Sequence, residues 1–127
     1  MLPIDYSFGT IGFFIKQAKA GKDITLYGGG DTKRTFTHME DLCYQIVQGS
    51  MNKDSNGEIY NIGGQTLSLR EAAEFVAKKF KTNVVAVEWP EKDFRIESNH
   101  TYFDDTKIRS LLCIGEYKQL QEFSKDL

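Results

Sequence analysis

The stretch "LYGGGDTKRTFTHMED", residues 26–41, sets three glycines a few residues ahead of a permanently charged guanidinium. Glycine lets backbone approach a phosphate closely, and Arg34 offers a planar fork of N–H donors that matches two phosphate oxygens. The stretch reads either as an anion site or as a flexible turn between two strands. The phosphate-loop pattern GxxxxGK[ST] is not spelled, and in a GxGxxG frame Lys33 stands where the third glycine belongs. Any anion chemistry must therefore come from Arg34 together with groups elsewhere.

Few other residues offer chemistry. Asp104 and Asp105 could form an acid–base pair, but adjacent carboxylates ahead of an apolar helical pattern read as caps. His38 and His100 have no neighbouring titratable partner and receive no role. Cys43 and Cys113 occupy helical or helix-flanking apolar positions without CxxC or Cys/His spacing. They read as buried free thiols rather than metal ligands, which suits a reducing cytoplasm. Asp41 falls where a carboxylate complements a helix dipole.

The 127 residues make one domain, 1–127, large enough for its own core. Net charge is −2 and the 16 basic residues are scattered, which argues against a nucleic-acid partner. Apolar runs are only a few residues long, too short for a membrane span, and the amino terminus lacks a signal-peptide pattern.

The elements that must position Arg34 follow from periodicity. Ile11, Phe14, Ile15 and Ala18 predict an amphipathic helix over 10–20, stopped by Gly21. "DITLY" and "TFTH" predict strands on either side of the glycine turn. Thr37 and Glu40 have capping-box spacing ahead of a helix over 39–50, with Leu42, Cys43, Ile46 and Val47 facing inward. "EIYNI" predicts a strand. Ser68 and Glu71 form a second capping box, opening a helix that buries Leu69, Ala72, Ala73, Val76 and Phe80. "NVVAVEW" predicts a strand stopped by Pro90, residues 92–100 a loop, "DDTKIRSLL" a helix with Ile108, Leu111 and Leu112 on one face, and residues from 118 a last helix.

Four segments in this order resemble the carboxy-terminal lobe of the extended short-chain dehydrogenase/reductases, the nucleotide-sugar epimerases and dehydratases. "LYGGGDTKRTFTHMEDL" is similar to their YGdGxxxRdFxyVdDl segment, and "GTIGFFIKQAKAGKDIT" precedes it like their FIxxalxGkplt helix. "GEIYNIGGQTLSLREAAEFVAKKF" and "FDDTKIRSLL" follow like GevYNiGgg.sxsl.el and aDxsKaxxlLG. Thr35 stands in place of the usual aspartate after the arginine.

The resemblance implies a mixed α/β (α+β) fold, a small sheet with flanking helices, as the substrate-binding lobe of a two-lobed enzyme whose Rossmann lobe is absent here. Arg34 would grip the diphosphate of a nucleoside-diphosphate sugar, and Arg95 is the candidate for the family's second arginine. Asn61 and the following glycines would be structural. The parent enzyme would use NAD(P), but this chain carries no GxxGxxG, and none of its six tyrosines is followed by lysine four residues on. The chain alone would thus hold no cofactor and have no activity, lacking hydride acceptor and tyrosinate base. The alternative is a free-standing, non-catalytic interaction module derived from that lobe. A severed lobe should expose an apolar strip where the other lobe packed, whereas an adapted module should be polar there.

Overall fold

The computed structural model describes residues 9–96 and 99–123. Helix α1, Gly9–Lys19, forms as its spacing predicts and buries Phe14, Ile15 and Ala18. Gly21 ends it at φ 68°, a left-handed conformation that favours glycine. Strand β1, Ile24–Tyr27, alternates buried Ile24 and Leu26 with exposed Thr25 and Tyr27. A 3-10 turn over Gly28–Gly30 leads into β2, Lys33–Phe36. This strand begins two residues before the expected "TFTH", so Arg34 lies within a strand rather than in the turn.

Helix α2, Met39–Met51, is followed by a 3-10 turn over Lys53–Ser55. Then come β3, Gln65–Ser68, and α3, Leu69–Phe80. The chain continues through β4, Val84–Val87, α4, Glu91–Ile96, α5, Thr106–Leu112, and α6, Leu120–Phe123. The end of the expected last helix, 124–127, lies outside the described residues. Part of the expected 92–100 loop is instead α4, started after Pro90 by Glu91 and Asp93 in its first turn.

The strands form two ribbons rather than one small sheet. β1 pairs in parallel with β4, Ile24 opposite Val84, and β2 pairs antiparallel with β3, Arg34 opposite Leu67. α3 lies across both. Its Ala72, Ala73, Val76 and Ala77 are buried with Phe14, Ile15, Ile24 and Leu26, the alanines letting α1 and β1 come close. Full burial of Ile15, Ile24 and Val76 contributes about 1.5–3 kcal/mol each. Ser68 and Glu71 make the expected capping box, the serine hydroxyl accepting from Glu71 N at 3.1 Å and the carboxylate from Ser68 N at 2.8 Å.

The other expected capping box does not form. His38 caps α2, its Nδ1 accepting from Glu40 N at 3.2 Å, while Thr37 Oγ1 donates to Gly63 O. The stripe expected to face inward is also inverted. Cys43, Ile46 and Val47 are exposed, as are Met39 and Met51, and only Leu42 is half-buried. The buried residue of α2 is Gln45, 1% exposed. Cys113 is exposed as well, at the left-handed C-cap of α5, so neither cysteine is the buried thiol that its surroundings in sequence suggest. "EIYNI" forms no strand. The backbone N–H groups of residues 59–62 make no hydrogen bond among the described residues, and Ile59 is 87% exposed.

Gln45 is buried because it completes another segment's backbone. Its Oε1 accepts from Gly63 N at 2.8 Å and its Nε2 donates to Gly63 O at 3.0 Å and to Asp41 O at 3.1 Å. Against the other side of Gly63 lie Tyr117 Oη and Asp105 Oδ2, which a Cβ at this position would overlap. Tyr117 Oη donates to Asp105 Oδ2 at 2.6 Å, and Arg109 Nε donates to the same oxygen at 2.9 Å. Burial pushes the Asp105 carboxyl up, but these hydrogen bonds outweigh it and hold the group below its usual range. Burial and the neighbouring Asp105 carboxylate push the Tyr117 phenol up to about 12.

Gln45→Leu should lower stability by about 1–3 kcal/mol, because it strands the buried N–H of Gly63. Ile46→Ala, one residue away on the exposed face, should change it by less than about 0.5 kcal/mol. Denaturant titrations ranking the two the other way round would contradict the inverted helix. Tyr117→Phe should cost about 1.5 kcal/mol near neutral pH, the low end for a bond to a charge because Asp105 is partly exposed. A phenol with a raised folded pKa contributes fully below the unfolded value of about 10, and its contribution is lost as pH rises toward 12. The stability gap between wild type and Tyr117→Phe should therefore close between those values, whereas a gap unchanged at high pH would rule out the hydrogen bond as its cause.

Candidate functional site

The glycine turn is where three elements meet. Gly28, Gly29 and Gly30 all have positive φ, at 60°, 84° and 75°, so the sequence needs residues without a Cβ here. Each also admits a close neighbour. A Cβ on Gly28 would overlap the Trp89 indole, one on Gly29 would lie 3.1 Å from Arg70 Nη2, and one on Gly30 would lie 2.6 Å from Leu26 Cδ1 and 3.0 Å from Arg70 N. The turn thus seats the start of α3 and the segment after β4. Tyr27 packs beside Trp89 with ring centroids 5.0 Å apart, and Trp89 meets Phe94 edge-on at 6.3 Å.

Arg34 lies one strand residue beyond the turn's exit and is half-buried. Its Nη1 donates to the carbonyls of Lys33 at 2.9 Å and Asn99 at 2.8 Å, which fixes the guanidinium. The 99–101 segment is itself held against β2, with Thr101 N donating to Lys33 O and His100 Nδ1 accepting from Lys33 N at 3.0 Å. His100 thus has a backbone task, as His38 does.

Arg95, the other arginine singled out in the sequence, sits on α4 in an exposed bridge to Glu91, its side chain 73% exposed. Arg34 and Arg95 are each anchored, by different partners. Arg70 and Trp89 are absent from the sequence reading, because only the pairing of β2 with β3 and of β1 with β4 carries them to the glycines. Leu69 N donating to Thr32 O at 2.9 Å is the bond that brings α3 to the turn.

Asp104 and Asp105 do not form an acid–base pair. Asp104 Oδ1 accepts from Thr106 N at 2.9 Å as a cap, and hydrogen bonds from Thr106 hold its carboxyl low. Asp105 faces Tyr117 and Arg109. Asp41 accepts from Lys118 N at 2.7 Å, and Lys118 also pairs with Glu40, so the start of α2 is fastened to the segment before α6. Asn61 donates to Asp104 O at 3.2 Å, a structural role as expected. Between α1, the end of β2 and this tail lies a largely apolar cavity of about 300 Å³, lined in part by Ile11, Phe36, Met39 and Leu120.

The glycine turn does not fit a dinucleotide. It joins a strand to a strand, whereas a pyrophosphate site of that kind needs a helix N-terminus directly after the glycines. No group of three or more potential metal-ligating side chains occurs among the described residues, and no described helix is long and apolar enough to cross a membrane.

The model of the NAD dependent epimerase/dehydratase family matches residues 8–63. The chain is 31% identical to a dTDP-glucose 4,6-dehydratase of Streptomyces niveus over 115 residues, 87% of this chain and 32% of that protein. It is 37% identical to a UDP-N-acetyl-alpha-D-glucosaminuronate decarboxylase of Bacillus cytotoxicus over 67 residues, 52% of this chain and 21% of that one. Among solved structures, the fold is shared with UDP-glucuronic acid 4-epimerase of Bacillus cereus in complex with UDP-glucuronic acid and NAD. The TM-score is 0.74 at 24% identity, over 92% of this chain and 37% of that one. The chain thus spans between 21% and 37% of the length of each of these relatives. The four ordered segments, the family match over residues 8–63 and the shared mixed α/β fold agree in likening the chain to the NAD dependent epimerase/dehydratase family.

Proposed function

We propose that the chain is the nucleoside-diphosphate-sugar-binding lobe of a two-lobed NAD(P)-dependent nucleotide-sugar epimerase or 4,6-dehydratase, inactive without the Rossmann lobe. The observation that carries this reading is the outward apolar face of α2, where Met39, Cys43, Ile46 and Val47 lie exposed. A free-standing module adapted to solvent would carry polar residues on that face. Residues 59–62 add to it a segment whose N–H groups have no partner among the described residues, suited to joining the edge of another sheet. Lys107 steadies that segment from one side, bonding Glu58 at 2.6 Å and the Ile59 carbonyl at 2.9 Å. The apolar face suits a partner with an apolar flank, and the segment suits one with an open sheet edge.

In this reading the hydride chemistry belongs wholly to the other lobe, and residues here bind and orient the substrate. Arg34 grips the diphosphate. Its anchorage to two carbonyls means that little side-chain freedom is lost on binding. Arg95 serves as the second cation, since an exposed bridge such as that to Glu91 is worth at most about 1 kcal/mol and yields readily to a phosphate. The exposed free thiols Cys43 and Cys113 suit a reducing compartment, and we assign the protein to the cytoplasm.

An NMR titration of the isotope-labelled chain with UDP or dTDP tests the reading. Weak, millimolar binding is expected, with shifts gathered at Gly28–Gly30 and Arg34. Arg34→Ala should weaken it by about tenfold or more, the value of a charged hydrogen bond. A spectrum unmoved by millimolar nucleotide would refute it.

A further inference from the structure

We infer that Arg70 is a further cation of the nucleotide site, a specificity residue that takes a phosphate oxygen of the ligand's diphosphate beside the glycine turn. This rests on the reading of the chain as a nucleotide-binding lobe. The arginines whose partners are described are already engaged. Arg34 is tied to Lys33 O and Asn99 O, Arg95 to Glu91, and Arg109 to Asp105 and Gly115 O. Arg70, half-buried, makes no hydrogen bond or ion pair among the described residues.

The position of Arg70 is set by the fold. It is the second residue of α3, which the Ser68–Glu71 capping box and the Leu69–Thr32 bond fix against the turn. Its backbone packs on Gly30 and its Nη2 lies 3.1 Å from where Gly29 would carry a Cβ. The second glycine therefore leaves room for a guanidinium, and it leaves that guanidinium beside bare backbone without a carboxylate partner. A fork of N–H donors so placed suits two phosphate oxygens. Asp31 Oδ2 lies 4.0 Å from the same point without pairing with Arg70, and its charge opposes an incoming anion. Discrimination follows from the fork: a diphosphate offers charged oxygens to Arg70 that a nucleoside lacks, while Asp31 weakens the binding of any anion there.

The test titrates the whole chain and two variants with UDP and with uridine at low ionic strength. Arg70→Gln should weaken UDP about tenfold or more, leave uridine unchanged and keep the thermal midpoint, since the side chain holds nothing else in place. Asp31→Asn should tighten UDP, and it keeps the test informative if Arg70→Gln does not fold. Wild-type UDP affinity in Arg70→Gln, or no gain in Asp31→Asn, overturns the assignment of Arg70 alone. Failure of the wild type to bind UDP overturns it together with the nucleotide-binding reading.

Discussion

Gly63 gives both backbone polar groups to one side chain, that of Gln45, and the arrangement of the carboxy-terminal half depends on that exchange. A buried amide must be paired somewhere, and no strand among the described residues pairs with 59–64. The side-chain amide of Gln45 substitutes for one, which draws α2 against the segment with its polar side inward. The bare Cα of Gly63 then admits Tyr117 and Asp105, and Thr37 reaches the same carbonyl from the end of β2. Four pieces of chain distant in sequence are thereby tied at one residue.

The apolar exterior of α2 is a consequence of this polar anchor. Once Gln45 turns inward, residues 39, 43, 46 and 47 lie on the remaining arc of the helix and face solvent. Burying that stripe within this chain would break the bonds to Gly63. The chain thus has a closed core around α1, β1 and α3, and a second side that is packed through hydrogen bonds and greasy outside. The same asymmetry appears at the glycine turn, where cations and aromatic rings gather on the chain's surface rather than around an enclosed pocket.

Much of the closed half was legible in the sequence. The period of α1, the alternation of "ITLY" and the Ser68–Glu71 box are local signals, and local physics decides them. The readings that failed depend on partners remote in sequence. Leu42, Cys43, Ile46 and Val47 form a proper helical stripe, but a stripe shows only that a helix has an apolar face, not that the partner of that face lies in the same chain. "EIYNI" has the composition of a strand but pairs with none among the described residues. Thr37 has capping-box spacing, yet its hydroxyl is taken by Gly63 and His38 caps in its place. Arg34 stood out because charge beside glycines is visible in one dimension. Arg70, equally charged, was hidden in a helix start until strand pairing brought it to the turn.

The central claim is that this chain is left unfinished at two places, the 59–62 segment and the apolar side of α2, for a second lobe to complete. Hydrogen–deuterium exchange on the monomeric chain, read amide by amide, tests it most directly. The account predicts that amides 59–62 exchange at close to the unprotected rate while those of β3 and α3 are strongly protected, Gly63 sharing their protection through Gln45. Protection of 59–62 equal to that of β3 in the monomer would show the segment already paired within the chain, and the claim would fall.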